Sequence, residues 1–227
     1  TGKAMRINVL GDVGIGKSRL IHELRGTTAD HNWRWFSGHC TADGARVPFQ
    51  NFIRAIRHGF AIKEDGDRHD AERRLQRGLD MIGVDSAASV PYLLNLLGFE
   101  VDDTSFRREN AEVAGRRTRD ILLETMHALA RQSPIVLFVD DAHWLDRSTA
   151  QLLRRTVDEG ADLPILVLCT YRRGIAANDD DDPAPDEVLE VPPLSGDEVR
   201  ELAAARLGVA ELPAELGRLV AEKADGN

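Results

Sequence analysis

The stretch GDVGIGKSRL, residues 11 to 20, follows directly on the largely apolar run Ile7-Asn8-Val9-Leu10 and places three glycines, a lysine and a serine in its first eight positions. Glycine costs about 0.5 to 1 kcal/mol against alanine inside regular structure, so such a cluster gives the backbone itself a task. It restricts the chain to folds in which a buried strand ends in a tight glycine turn that opens into a helix.

The rest of the 227 residues alternates strand and helix signals, the pattern of a mostly parallel sheet covered by helices. Arg6 to Leu10 reads as the first strand, and Lys17 to Leu24 as the start of a helix with Leu20, Ile21 and Leu24 on one face. Trp33 to Gly38 reads as the second strand. Pro48 to Phe60 is helical in pattern, with Phe52, Ile53 and Ile56 spaced for burial, and helix dominates as far as Arg131. Between Asn110 and Ala130, the residues Ala114, Ile121, Leu122, Met126 and Leu129 form a long apolar stripe.

Pro134 ends that helix, and IVLFVDD (135–141) reads as a strand buried on both faces. Gln151 to Val157 is helical, LPILVLCTYRR (163–173) is a further buried strand, and VLEV (188–191) a short fifth one. Residues 178–187, NDDDDPAPDE, cannot fill a core and predict a surface loop. Ser195-Gly-Asp-Glu198 has capping-box spacing before a helix to Leu207. Pro213 opens a last helix with Leu212, Leu216, Leu219 and Val220 on one side. The expected fold is α/β: a P-loop NTPase parallel five-stranded sheet with helices on both faces, a helical insertion between strands 2 and 3, and a small C-terminal helical part. In domain terms, residues 1–191 form the core, with the insertion at about 48–131, and 192–227 begin a helical lid.

Gly11-x-x-x-x-Gly16-Lys17-Ser18 matches the phosphate-binding P-loop pattern between a strand and a helix, as the mechanism requires. The bare pattern should arise by chance in roughly one sequence of this length per hundred, so the flanking elements carry the discrimination. The residues expected at a nucleotide are Gly11, Asp12, Val13, Gly14, Ile15, Gly16, Lys17, Ser18 and Arg19. Backbone N–H groups from Gly14 to Ser18 and the helix N-terminus suit a polyphosphate, Lys17 the β- and γ-phosphates, and Ser18 a Mg²⁺ ion. The order G-x-x-G-x-G differs from the G-x-G-x-x-G of dinucleotide sites, so a nucleoside triphosphate is expected.

The strand 135–141 ends in adjacent carboxylates. Asp140 is placed for the Mg²⁺ shell, and Asp141, pointing to the neighbouring side, could orient attacking water. Asp146 reads as the N-cap of the helix Arg147 to Val157. Thr170 and Arg172 end the next strand at the same sheet edge. Thr170 could bond water or phosphate, and Arg172 either reaches the γ-phosphate or is a surface arginine beside Arg173. His143 and Trp144 read as structural and packing residues. The seven histidines and two cysteines show no C-x-x-C or H-E-x-x-H spacing, so zinc is not expected.

With Lys+Arg 29 against Asp+Glu 38, a net charge of −9 sets the chain against nucleic acid and anionic membrane surfaces as direct partners. No apolar stretch approaches the ~18 residues of a membrane span, and Cys40 and Cys169 make no disulfide framework. These features predict a soluble, cytoplasmic protein. The start at Thr1 and the stop at Asn227 without a tail suggest a fragment of something longer.

VLGDVGIGKSRLIHEL, VLFVDDAHWLDRSTAQLLRR, LVLCTYR, PLSGDEVRELAAARLG and the terminal ADGN resemble, in family order, the ATPase module of STAND-type signal-transduction proteins, close to the AAA-like fold. Such modules occur in large LuxR-type transcriptional regulators and beside class III nucleotide cyclase domains. The resemblance implies an ATP-binding, slowly hydrolysing switch that controls attached DNA-binding or cyclase effector domains, with nucleotide-dependent self-association. By matched position it implies Lys17 and Ser18 as phosphate and Mg²⁺ residues, Asp140 and Asp141 as the Walker B pair, and Arg172 as the sensor arginine. The family usually has a G-R-x-x-E type segment before the first strand and a winged-helix region after the last helix, and this chain starts too late and stops too early to show either. It also carries Asp141 where many relatives have Glu. A rival reading is a scaffold that binds ATP or ADP without meaningful turnover. A nucleic-acid motor fits poorly with the net charge of −9 and 5% aromatic residues.

Overall fold

The computed structural model describes residues 2–41, 49–102, 106, 108–174 and 185–224. Strands β1 (Met5–Gly11), β2 (Arg34–His39), β3 (Ile135–Asp140), β4 (Ile165–Arg172) and β5 (Glu187–Glu190) form one sheet in the order β2-β3-β4-β1-β5. Every pair in it is parallel, and the expected five-stranded α/β architecture is borne out. The register aligns His39 with Asp140, Val139 with Cys169, and Gly11 with Arg172. The C-terminal ends of β1 to β4 therefore share one edge, where open parallel sheets bind ligands.

Side chains on a strand alternate, and here both sets find cover. Ile135, Leu137, Val139, Val167, Cys169 and Tyr171 enter one core, shared with the helices between β2 and β3. Val136 and Leu168 point the other way, onto Val9 of β1 and Ile21 of helix α1 (Lys17–Thr27). Burial on both sides is why β3 and β4 read as unbroken apolar runs. β5 closes the sheet as a four-residue edge strand with every residue exposed.

Between β2 and β3 lie α2 (Gln50–Gly59), α3 (Arg68–Ile82), α4 (Ser86–Leu96) and α5 (Ala111–Gln132). The side chains of Asp67, Asp85 and Asn110 cap α3, α4 and α5 by accepting from the backbone N–H three residues on. Leu75 and Leu79 of α3, Leu93 of α4, and Leu122 and Met126 of α5 are fully buried and belong to the same core as β3 and β4. Two buried threonines of α5 satisfy their hydroxyls within the helix, Thr118 on the Ala114 carbonyl at 2.8 Å and Thr125 on that of Ile121 at 2.7 Å.

After β3 comes α6 (Arg147–Asp158), and after β5 come α7 (Gly196–Leu207) and α8 (Ala214–Ala224), packed on each other. Asp146 caps α6 as expected: Oδ1 accepts the Thr149 N–H at 2.9 Å, Oδ2 holds the Thr149 hydroxyl, and that hydroxyl oxygen accepts the Phe49 N–H at 3.0 Å. We expect Asp146→Ala to lower stability by about 1–2 kcal/mol, read from urea unfolding, because it removes the cap and loosens the partner of Phe49 together. The box at Ser195 and Glu198 is present in both directions, at 2.7 and 3.3 Å.

Some expectations need correction. Leu20 is 47% exposed, because α1 lays Ile21 on the sheet and turns Leu20 away. The strand of the acid pair stops at Asp140, and Asp141 adopts a left-handed conformation with φ 53°. Residues 178–184 lie outside the described residues, but Asp186 and Glu187 are not free loop. The Asp186 N–H donates to the Arg6 carbonyl at 2.9 Å, its Oδ2 accepts the Arg6 N–H at 2.7 Å, and Glu187 starts β5. Leu216 and Leu219 on the last helix are 41% and 52% exposed.

Candidate functional site

The loop after β1 is built from backbone geometry. Gly14 and Gly16 have φ of 81° and 99°, a region that side chains with a β-carbon occupy only at a cost, and Gly16 leads directly into α1. Gly11 is required for another reason, since a β-carbon there would lie 2.8 Å from Ile15 Cγ2 and 3.2 Å from the Val191 carbonyl. The loop folds back on its own strand and on the residue after β5. The first amides of α1 have no partner within the helix, which makes this end electropositive.

Lys17, 8% exposed, turns its ammonium back to donate to the carbonyls of Gly11 at 2.9 Å and Asp12 at 2.8 Å. Ser18 points across the sheet edge, its hydroxyl 3.1 and 3.0 Å from the two carboxylate oxygens of Asp140. Thr170, fully buried on the intervening strand β4, makes two bonds at once: it donates to Asp140 Oδ1 at 2.6 Å and accepts the Asp141 N–H at 2.8 Å. One hydroxyl thus fixes the carboxylate of the strand tip and the backbone of the residue that leaves it.

Asp141 Oδ1 lies 3.8 Å from His143 Nδ1 and 3.9 Å from Arg172 Nε. The Arg172 side chain is 40% exposed, while Arg173 is paired instead with Glu190 at 3.2 Å. The structure therefore brings Lys17, Ser18, Asp140, Asp141, Thr170 and Arg172 to one edge. It does not bring Arg19 there, which pairs with Glu23 one turn on and faces solvent, and Val13 is 65% exposed on the outside of the loop. Trp144, expected to pack, is 39% exposed at the end of a short turn, Ala142–Trp144, with its ring centroid 5.2 Å from that of His143.

Sequence reading does not reach His39, whose Nδ1 is 3.5 Å from Asp140 Oδ2, because only the β2–β3 register aligns those two residues. His143, read from the sequence as a satisfied structural residue, proves buried but unsatisfied. Its side chain is 2% exposed, and among the described residues neither ring nitrogen has a hydrogen-bond partner. Burial lowers its pKa, with Asp141 opposing and Arg172 and Lys17 reinforcing the shift, so the ring is neutral at pH 7. The unfolded chain takes up this proton near pH 6.5 and the folded one resists it, so stability from this residue is lost as pH falls below about 6.5. We expect the wild-type urea midpoint to drop between pH 7.5 and 5.5 more steeply than that of His143→Phe. Parallel curves would assign the pH dependence to other groups.

A family model described as AAA ATPase domain matches residues 1–168. A protein of Rhizobium meliloti (strain 1021) described as uncharacterized is 27% identical over 199 residues, 88% of this chain and 19% of the relative, so the chain spans about a fifth of that relative's length. Similar solved structures include the E. coli MS115-1 HORMA:CdnC:Trip13 complex, at 11% identity, TM-score 0.49, 97% of this chain and 59% of that one. The Drosophila ORC bound to DNA aligns at 13% identity and TM-score 0.47, over 89% of this chain and 41% of that one. A STAND protein with a tetratricopeptide repeat sensor from Pyrococcus horikoshii aligns at 14% and 0.45, over 95% and 25%. Among the described residues no helix is long and apolar enough to cross a membrane. Because the family match runs from the strand before the glycine loop, through Asp140 and into β4, the chain belongs to the AAA ATPase domain family.

Proposed function

We propose that the chain is an ATP-binding, slowly hydrolysing regulatory module of a larger signal-transduction or transcription-regulatory protein. The observation that carries this reading is the contact of Ser18 Oγ with both Asp140 oxygens, at 3.1 and 3.0 Å, beside an ammonium folded onto the same loop. A hydroxyl and a carboxylate are hard oxygen donors of the kind magnesium takes, and magnesium fills the rest of its shell with water and substrate phosphates. Among the described residues no group of three or more His, Cys, Asp or Glu side chains can hold a metal ion, so a cation here depends on nucleotide oxygens as well. The loop suits a polyphosphate: Gly14 and Gly16 take positive φ and lead the chain directly into the unpaired first amides of α1.

Bound ATP and Mg²⁺ supply the bond to be cleaved and the charge that offsets its oxygens. In this reading the amides of Gly14 to Ser18 and the Lys17 ammonium bind the phosphate oxygens, and Ser18 and Asp140 hold the metal. Thr170 keeps Asp140 and the Asp141 backbone in register. Asp141 orients the attacking water, a task better suited to a weakly basic carboxylate than outright proton removal. Arg172 is the nearby cation that can offset charge growing on the γ-phosphate. The implied partners are effector domains of the same polypeptide, DNA-binding or cyclase, and further copies of the module in a nucleotide-dependent assembly. The great length of the Rhizobium relative beside the matched stretch supports a module within a larger protein.

A scaffold that binds nucleotide without turnover is favoured by one observation, the Asp141 carboxylate lying 3.9 Å from the Arg172 guanidinium of its own chain. Steady-state phosphate release separates the two. For the ATPase, Asp141→Asn is expected to slow release about ten- to hundredfold while ATP binding changes less than about twofold. Wild-type release no faster than that of Asp141→Asn or Lys17→Ala would leave the scaffold reading.

A further inference from the structure

At the edge of the sheet opposite the phosphate loop, a cavity of about 490 Å³ opens between the last turn of α1, the first half of β2, and helices α2, α3 and α5. That volume lies within the range of small-molecule sites. Its walls are hydrocarbon: Phe36, Ile56, Phe60, Ile82, Met126 and Leu129. Among the described residues, its only titratable lining residues are Arg25, Arg34 and His58. Among the described residues that line it there is no carboxylate, in a chain whose net charge is −9. Gln132 braces the mouth, its Nε2 donating to the Met81 carbonyl at 3.1 Å and its Oε1 accepting from the Arg34 guanidinium at 3.5 Å.

One wall carries a cost that a surface dent would not. Gly78 sits in the middle of α3, where glycine is disfavoured against alanine, and a β-carbon there would lie 2.4 Å from the Phe60 ring. The glycine lets the edge of that ring come up against the helix backbone, and the ring forms the wall. Hydrocarbon walls with a cationic rim select a ligand of matching polarity. A nucleotide, with several charges and a polar sugar, does not match them; a single carboxylate on an aliphatic or aryl body does.

We propose that this cavity binds a small amphiphilic carboxylate, its apolar body between Phe36, Phe60 and Met126 and its anionic end at Arg25 and Arg34. The site shares no residue with the phosphate loop or the acid pair, and its occupation does not depend on the nucleotide reading.

The test is a calorimetric titration of the chain with decanoate below its micellar concentration, with tryptophan emission as a second readout, since Trp35 lines the cavity. Saturable one-to-one binding is expected, together with a change in emission. The double variant Arg25→Gln/Arg34→Gln, altered only at exposed side chains, is expected to bind about tenfold more weakly, the effect of two partly solvated ion pairs. Decanol is expected to bind weakly in the same way, and saturating ATP·Mg²⁺ to leave decanoate bound. The proposal is overturned by the absence of a saturable heat, by decanol or the double variant matching wild-type decanoate, or by displacement of decanoate by ATP·Mg²⁺.

Discussion

Lys17→Ala is expected to weaken ATP·Mg²⁺ binding about a hundredfold and to move the melting temperature by no more than a few degrees. Lys17 is 8% exposed and its ammonium donates to two carbonyls, Gly11 at the end of β1 and Asp12 in the loop, so its charge is held at the loop rather than swinging in water. Charge-assisted hydrogen bonds contribute about 1.5–3 kcal/mol each, and losing one or two against a phosphate corresponds to a factor on the order of 10² in Kd. The folded state loses less, because the Asp12 carbonyl lies in an exposed loop that water can reach and the Gly11 carbonyl keeps the Arg173 N–H as a donor at 3.3 Å. Lys17→Arg is a useful companion: it keeps the charge but brings a planar fork where a point charge sits, so partial recovery is expected. Calorimetry gives the answer directly. Equal, weak heats for wild type and Lys17→Ala would remove the nucleotide from the account of this loop.

The glycine loop, β3 and the cap at Asp146 were legible in the sequence because each is written in adjacent residues. Positive φ at Gly14 and Gly16, a run buried on both faces, and an acceptor three residues from its donor all leave local marks. The meeting of Ser18 with Asp140 was legible only by inference, since 122 residues separate them and the contact depends on β4 lying between β1 and β3. His39 left no mark, because its place beside Asp140 follows from register, which periodicity does not encode. Asp141 misled in the opposite sense. The apolar run suggested a strand that continued through it, but the hydrogen bond from its N–H to Thr170 holds a left-handed turn instead. Composition was also silent on the cavity: Phe60 and Gly78 are 18 positions apart, and only tertiary packing brings the ring of the residue that ends α2 onto the glycine of α3.

Thr170→Val is expected to have the largest effect of any change that keeps side-chain shape. Valine has the same branching and suits a strand, so packing at this fully buried position is preserved and only the hydroxyl is lost. Two partners lose it together: Asp140 Oδ1 loses a donor at 2.6 Å and the Asp141 N–H loses its acceptor at 2.8 Å. An unpaired buried amide costs about 1–3 kcal/mol, and a hydrogen bond to a carboxylate contributes about 1.5–3 kcal/mol. Asp140, 21% exposed, recovers part of its share from water, so a net loss of about 2–4 kcal/mol is expected. For a chain of this size that corresponds to a fall in melting temperature of about 5–12 °C. A merely structural hydroxyl would stop there. Because both carboxylate residues hang on this one oxygen, Mg²⁺-dependent ATP binding should weaken and phosphate release fall at temperatures where the variant is still folded. Thr170→Ser, which keeps the hydroxyl and gives up a methyl group, should cost about 1 kcal/mol in stability and retain most of the binding. If the valine variant melts within a degree or two of wild type and binds ATP·Mg²⁺ as tightly, the hydroxyl does not organise the acid pair, and Asp140 must owe its position to Ser18 and His39 alone.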